Sequence, residues 1–173
     1  MVNFTIEIAT KFAKNPGSVD LEKFSSIDDA AAEVLARTKE TLSLNGLKSL
    51  SDASAKALGR HGGPFLHLSL NGLTCLSEGA AQSLARHKGY ICLNGLTSLS
   101  DAVAKGLSGL REDLYLNGLT SLSDVAAKAL ADHKGGSLYL NGLENVSATA
   151  AKALACHEGE IYPLTLRGGS GKG

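Results

Sequence analysis

Leu114-Tyr-Leu-Asn-Gly-Leu-Thr-Ser-Leu-Ser-Asp-Val-Ala-Ala-Lys-Ala-Leu130 is one copy of a string that recurs along this 173-residue chain. Its Asn-Gly pair returns at Asn45, Asn71, Asn94, Asn117 and Asn141, in steps of 26, 23, 23 and 24 residues. Self-similarity at such a period marks stacked repeats. Each copy reads Leu-x-Leu-Asn-Gly-Leu-x-x-Leu-Ser-Asp-x-x-Ala-x-x-Leu. The opening Leu-x-Leu alternates with period two, which puts both leucines on one face of a strand. The later Asp-x-x-Ala-x-x-Leu spaces its apolar residues as a helix does. Asn-Gly between them tolerates the left-handed backbone that a sharp turn needs. One unit is therefore strand, turn and helix. Its leucines find cover only when copies stack into a parallel sheet backed by a layer of helices.

These residues resemble a leucine-rich repeat, most of all the cysteine-containing subtype that runs L-x-L-x-x-C-x-x-I-T-D-x-x-L-x-x-L-A. Leu47, Leu73, Leu96, Leu119 and Leu143 take the place of its cysteine. Leu50, Leu76, Leu99, Leu122 and Val146 take the place of its isoleucine. Ser51-Asp52, Ser100-Asp101 and Ser123-Asp124 replace its Thr-Asp. The resemblance covers residues 19–168 and extends to bacterial repeat proteins of unassigned role. It implies an α/β fold, a curved leucine-rich repeat solenoid with a parallel sheet on the concave face and short helices on the convex face. It also implies that partners bind the concave face. It says nothing of which partner, because the architecture hosts many unrelated roles.

The spacing divides the chain into a helical cap over residues 1–17, a repeat array over 18–168 and a flexible tail over 169–173. In the cap, the 23-residue offset aligns Phe12 with Leu35 and Ala9 with Ala32, so Phe4 to Lys14 reads as the helical half of a degenerate unit. Phe4, Ile8 and Phe12 then share a stripe. A strand through Val2, Phe4, Ile6 and Ile8 is the rival reading. The first strand of the array falls at Val19-Asp-Leu21, with Glu22-Lys23 in the Asn-Gly place. Strands follow at Leu42–Leu44, Leu68–Leu70, Ile91–Leu93, Leu114–Leu116 and Leu138–Leu140. A last one falls at Leu164-Thr-Leu166, which makes six strand-helix units and a final strand. Ser or Asp at each helix start accepts hydrogen bonds from unpaired amides. The unit with Ser147-Ala148 is expected to be the weakest capped. Lys56, Gln82, Lys105, Lys128 and Lys152 share a solvent-facing register. Gly62-Gly-Pro64 holds the main insertion, in a loop between helix and strand.

Composition narrows the function classes. Apolar residues are 43%, enough for a continuous core, while aromatics are 5%. Seventeen basic side chains balance seventeen acidic ones. A nucleic-acid or anionic-membrane binder should show a basic excess, so neither partner is expected. No apolar run is long enough for a membrane span. Glu7, Lys11 and Lys14 break any signal-peptide core. Cys75, Cys92 and Cys156 show no metal spacing and no obvious pairing, as in a reduced cytoplasmic protein. Asn3-Phe-Thr5 and Asn145-Val-Ser147 fit the glycosylation pattern but carry no weight without secretion.

Three columns invite chemistry. His61, His87, His133 and His157 stand just after their helices, with Leu110 and Thr38 at the same place in two other units. A position that accepts leucine suits helix-end residues that cap final carbonyls better than metal ligands. The asparagine column suits bonds to the backbone of the neighbouring turn, with an exposed binding strip as the lesser reading. The tail Gly168-Gly-Ser-Gly-Lys-Gly173 lacks the first glycine and the Ser/Thr of a phosphate loop. No nucleophile elbow is present. Neither a cofactor, a metal nor catalysis is expected.

The outward face of the sheet remains. Strand alternation directs Ser18 and Asp20, Thr41 and Ser43, His67 and Ser69, Tyr90 and Cys92, Asp113 and Tyr115, Ser137 and Tyr139, and Pro163 and Thr165 away from the core. Tyr90, Tyr115 and Tyr139, flanked by His67 and Asp113, form the candidate partner-binding patch, since tyrosine is enriched where binding energy concentrates. The bland reading is that neighbouring rings pack on each other. The expected function is non-catalytic protein-protein interaction. The alternative is a ligand-binding or accessory domain of a larger enzyme or signalling protein. An open edge at Leu164–Leu166, blunted by Pro163, would also allow a homodimer.

Overall fold

A computed structural model describes residues 2–63 and 66–163. Six two- or three-residue strands, β3 (Leu42–Ser43), β4 (His67–Ser69), β5 (Tyr90–Cys92), β6 (Leu114–Tyr115), β7 (Leu138–Tyr139) and β8 (Ile161–Tyr162), pair in that order, all parallel. Each of β3 to β7 is followed by a short helix: α3 (Asp52–Leu58), α4 (Glu78–Leu84), α5 (Asp101–Leu107), α6 (Asp124–Ala131) and α7 (Ala148–Leu154). Before them come β1 (Asn3–Phe4), α1 (Ile6–Lys14), β2 (Ser26–Ile27) and α2 (Asp29–Leu35). The protein is an α/β array of repeated strand-helix units. Each helix packs on the next. Between sheet and helices runs one apolar spine, in which Leu68, Leu70, Leu73, Ala80, Ala81 and Leu84 of one unit are fully buried, and their counterparts in the next are buried or, at Val103, nearly so. Lys56, Gln82, Lys105, Lys128 and Lys152 all face solvent.

The amino end combines the two rival readings. Phe4 belongs to β1, which pairs with β2 in register Asn3↔Ser26 and Phe4↔Ile27, and the helix begins only at Ile6. Phe4 therefore holds the position of Ile27 and Leu50 in later units, and it packs edge-on against Phe24. A parallel bridge between Ser121 and Asn145 repeats this second, shorter pairing further along.

Two strand assignments need correction. Val19-Asp-Leu21 is not a strand: Leu21–Lys23 winds into a turn of 3-10 helix, because the Asp20 carboxylate accepts the Glu22 amide at 3.1 Å. Glu22 still stands in for an asparagine, accepting from Ser43 Oγ at 2.5 Å and Asn45 Nδ2 at 3.0 Å. The last described strand is Ile161–Tyr162, three residues before the expected one. The Leu138 amide donates to the Glu160 carbonyl at 2.8 Å, and that of Leu140 to Tyr162 at 2.7 Å. The outward-facing residues there are thus Glu160 and Tyr162. By the same register Pro163 matches Leu140, whose amide donates to the next strand, so Pro163 lacks the donor that would extend the ladder. Leu164–Leu166, the proposed homodimer edge, and the tail lie outside the described residues.

The asparagine column is a stacking device. Asn45, Asn71, Asn94 and Asn117 each place Oδ1 on the backbone amide of the next asparagine, at 3.0, 2.9, 2.9 and 3.1 Å. Asn94→Ala removes the acceptor from the half-buried Asn117 amide, so it should cost about 1–3 kcal/mol in urea unfolding. Asn141→Ala, at an exposed position, should cost less. Equal losses at the two positions would rule out this role.

The glycine beside each asparagine has a different reason from the expected one. Among the described glycines only Gly62 has a positive φ, 143°. The column needs glycine for approach: a Cβ on Gly72, Gly95 or Gly118 would meet the preceding asparagine carbonyl at 2.0, 2.1 and 2.0 Å.

The helix starts interlock as well. Ser51, Ser77, Ser100, Ser123 and Ser147 each accept the amide three residues on, at 2.9 to 3.2 Å. Ser147 caps its helix as well as the others do, against expectation. It lacks only an acidic neighbour for the dipole. Ser51 and Ser123 also donate to the first helical aspartate of the unit before, Asp29 and Asp101, both at 2.5 Å. Ser77 and Ser147 do the same to Asp52 and Asp124.

Candidate functional site

The face of the sheet opposite the helices carries a row of rings. Alternation along each strand turns the residue after the buried core position outward, and the period repeats that position every 23 or 24 residues. Tyr115, Tyr139 and Tyr162 thus stand directly opposite one another on β6, β7 and β8. Tyr115 and Tyr139 stack nearly parallel with ring centres 4.0 Å apart, and Tyr139 and Tyr162 at 4.8 Å. That spacing follows the strand separation itself.

The row then jogs. Tyr90 precedes its core residue, Ile91, and pairs across with His67, while Cys92 stands opposite Tyr115. Tyr90 therefore reaches Tyr115 diagonally, at 5.7 Å and 57°. On its other side it stacks on His67 at 4.6 Å, with its hydroxyl 2.7 Å from His67 Nδ1. Five half-buried rings, His67, Tyr90, Tyr115, Tyr139 and Tyr162, run across five strands. Four of the five expected site residues, His67, Tyr90, Tyr115 and Tyr139, are in this row. Tyr162 was not among the expected residues, although 23 residues from Tyr139 lands on it.

Asp113 flanks the row but has another task. Its Oδ1 accepts the Ser137 amide at 2.7 Å, and it fills space that a Cβ on Gly136 would occupy, so it ties one loop to the next.

Ionisation favours an uncharged surface. Burial, then the Tyr139 hydroxyl, pushes the Tyr115 phenol up. Burial also raises Tyr90 and the Cys92 thiol, and lowers His67. The hydrogen bond from Tyr162 to the Glu160 carboxylate, with its charge, raises the Tyr162 phenol. At neutral pH the row is a neutral strip with Asp113 and Glu160 beside it.

The histidine column is buried rather than at the surface. His61, His87, His133 and His157 are at most 4% exposed. Their backbone amides donate to carbonyls at the ends of their own helices, those of Leu58, Leu84, Leu130 and Leu154, at 2.9 to 3.0 Å, while their rings reach the unit before. His61 Nε2 lies 2.9 Å from the Glu40 carbonyl, His133 Nε2 3.0 Å from that of Glu112, and His157 Nε2 3.3 Å from that of Gly136. Each contact ties a unit to the loop of the one before. His61 stacks on His87 with ring centres 5.5 Å apart, and Leu110 separates that pair from His133 and His157. Among the described residues no group of three metal-ligating side chains converges, and Cys75, Cys92 and Cys156 are free thiols. Among the described residues no helix is long and apolar enough to cross a membrane.

No protein-family model matches the chain, and no curated protein matches it. The functional reading therefore rests on the chain's own geometry.

Proposed function

We propose that this protein is a non-catalytic module that binds another protein through the ring-bearing face of its sheet. The continuous row from His67 to Tyr162, on the side of the sheet away from the described helices, carries this reading. Rigid rings already stacked in place lose little side-chain entropy on binding, and their hydroxyls keep polar partners within reach. The array would curve as a leucine-rich repeat solenoid with this face on its inner side, in line with the sequence resemblance.

Ring packing also stabilises the sheet, so the test separates the two roles. Tyr115→Ser, Tyr139→Ser and Tyr162→Ser together remove three consecutive rings. Loss of a partner captured from the native host is expected, with a melting temperature lowered by a few degrees at most, on the order of what 1–2 kcal/mol gives a chain of this length. Unchanged capture by the folded triple variant would end the proposal.

A further inference from the structure

The carboxyl ends of successive helices leave shallow grooves between units. The grooves recur with the period, but their charge does not. Beside α1 and α2 the lining includes Arg37, Lys39 and Glu40. Beside α6 and α7 it includes Lys134, Asp132 and Glu158. Between α4 and α5 it holds Arg86, Lys88 and Arg111 against one carboxylate, Glu112. All four are exposed, and none of these three cations has an ion-pair partner among the described residues. Three cations less one carboxylate leave a local charge of plus two.

His87 lines the same groove. It is 3% exposed, and neither ring nitrogen has a hydrogen bond of good geometry, although the backbone of His61 and Leu58 lies close by. The other three histidines of the column place Nε2 on a carbonyl 21 residues back. For His87 that residue is Leu66, at the end of the inserted loop. Its carbonyl lies 1.8 Å from where a Cβ on Gly89 would stand, and His87 Nε2 lies 3.1 Å from the same point. His87 forms no counterpart of that bond. A buried polar ring left unpaired is costly and points to an absent partner.

We propose that this groove binds a phosphate group, as inorganic phosphate or a small phosphate monoester. The guanidinium groups of Arg86 and Arg111 and the ammonium of Lys88 would hold its oxygens, and His87 would donate a ring N–H to one of them. Guanidinium suits phosphate through paired, charge-assisted hydrogen bonds. The local charge of plus two suits a phosphate that carries about 1.5 to 2 negative charges at pH 7. The site stands apart from the ring-bearing face and does not depend on its role.

The probe is inorganic phosphate, added to the full chain at fixed ionic strength with chloride as the balancing anion. The His87 imidazole signals should move saturably in NMR spectra, and its titration should shift to higher pH as phosphate is added. Arg86→Gln with Arg111→Gln should weaken binding at least about tenfold. That pair should leave the phosphate-free melting temperature unchanged, since neither side chain makes an ion pair in the fold. His87→Leu, carrying the side chain that Leu110 has at the same place, should stay folded and bind phosphate several-fold more weakly. No saturable shift below about 10 mM phosphate overturns the proposal. So does a response that the paired arginine variant leaves intact.

Discussion

Gly95→Ala is expected to destabilise the chain by about 3 kcal/mol or more, among the largest costs a single methyl can impose here. The new Cβ would stand 2.1 Å from the Asn71 carbonyl oxygen and 2.5 Å from that of Leu73. Both atoms are backbone, so no rotamer change relieves the clash. The turn would have to move outward by about an ångström, since tightly packed interiors do not absorb such overlaps. That shift would pull the Asn94 amide from Asn71 Oδ1, now 2.9 Å away, and disturb the pairing of β5 with β4. Gly109→Ala is the control. Its nearest neighbours would be the Ala85 methyl at 3.5 Å and the Gly106 carbonyl at 3.7 Å, with no positive φ to oppose a side chain. There the substitution should be neutral or stabilise slightly, through a less mobile unfolded chain. Urea midpoints of the two variants measure the contrast. Similar midpoints would mean that turn-to-turn contact does not require glycine at this column.

The same residue types serve a left-handed turn and a close backbone approach. Asn-Gly therefore marks the turn in the sequence but does not say why glycine is there, and only the carbonyl of the neighbouring unit decides. The unit itself is legible because several local signals agree: Leu-x-Leu for the strand, Ser-Asp for the helix start, Ala and Leu at helical spacing for the buried side. Legibility fails where one signal is strong and another absent. Val19-Asp-Leu21 alternates like a strand, but the Asp20 side chain captures a nearby amide and bends the backbone into a turn. Leu164-Thr-Leu166 spells the strand motif, whereas the period points to Ile161, and the hydrogen bonds follow the period. That slip hides Tyr162, so the row of rings looks shorter from the sequence than it is in the sheet. The histidines are hidden for a further reason. An imidazole between two turns can be a cap, a ligand or a buried strut, and only the carbonyl it faces tells them apart.

Those buried rings make the fold sensitive to mild acid. Burial pushes the His87 pKa down from 6.5 to about 4, helped by His61 beside it, while the backbone of His61 and Leu58 pulls weakly the other way. Burial lowers His61 as well, against the Glu40 carbonyl, and lowers His133, with His157 adding to the effect. His67 also bears on His87, and it too is held neutral by burial. The folded chain keeps these rings uncharged, whereas the unfolded chain protonates them below about pH 6.5. The unfolded state then binds more protons, so their contribution is fully present above about pH 6.5 and is lost as pH falls towards 4. For His87 alone the loss approaches roughly 3 kcal/mol by pH 4. The lowered carboxylates Asp29 and Glu22 act further down: their stabilisation is present above the ordinary carboxylate range and is lost as pH falls through that range towards their lowered folded values. In phosphate-free buffer, the urea midpoint should fall steadily from pH 7 to 4.5. His87→Leu should flatten that fall by the share of one ring. It should also unfold no more easily at pH 7, because it removes two buried nitrogens that lack a hydrogen bond of good geometry. A midpoint that stays level from pH 7 to 5 would show that the column does not bury neutral imidazoles. A slope unchanged by His87→Leu would show that the acid response originates elsewhere.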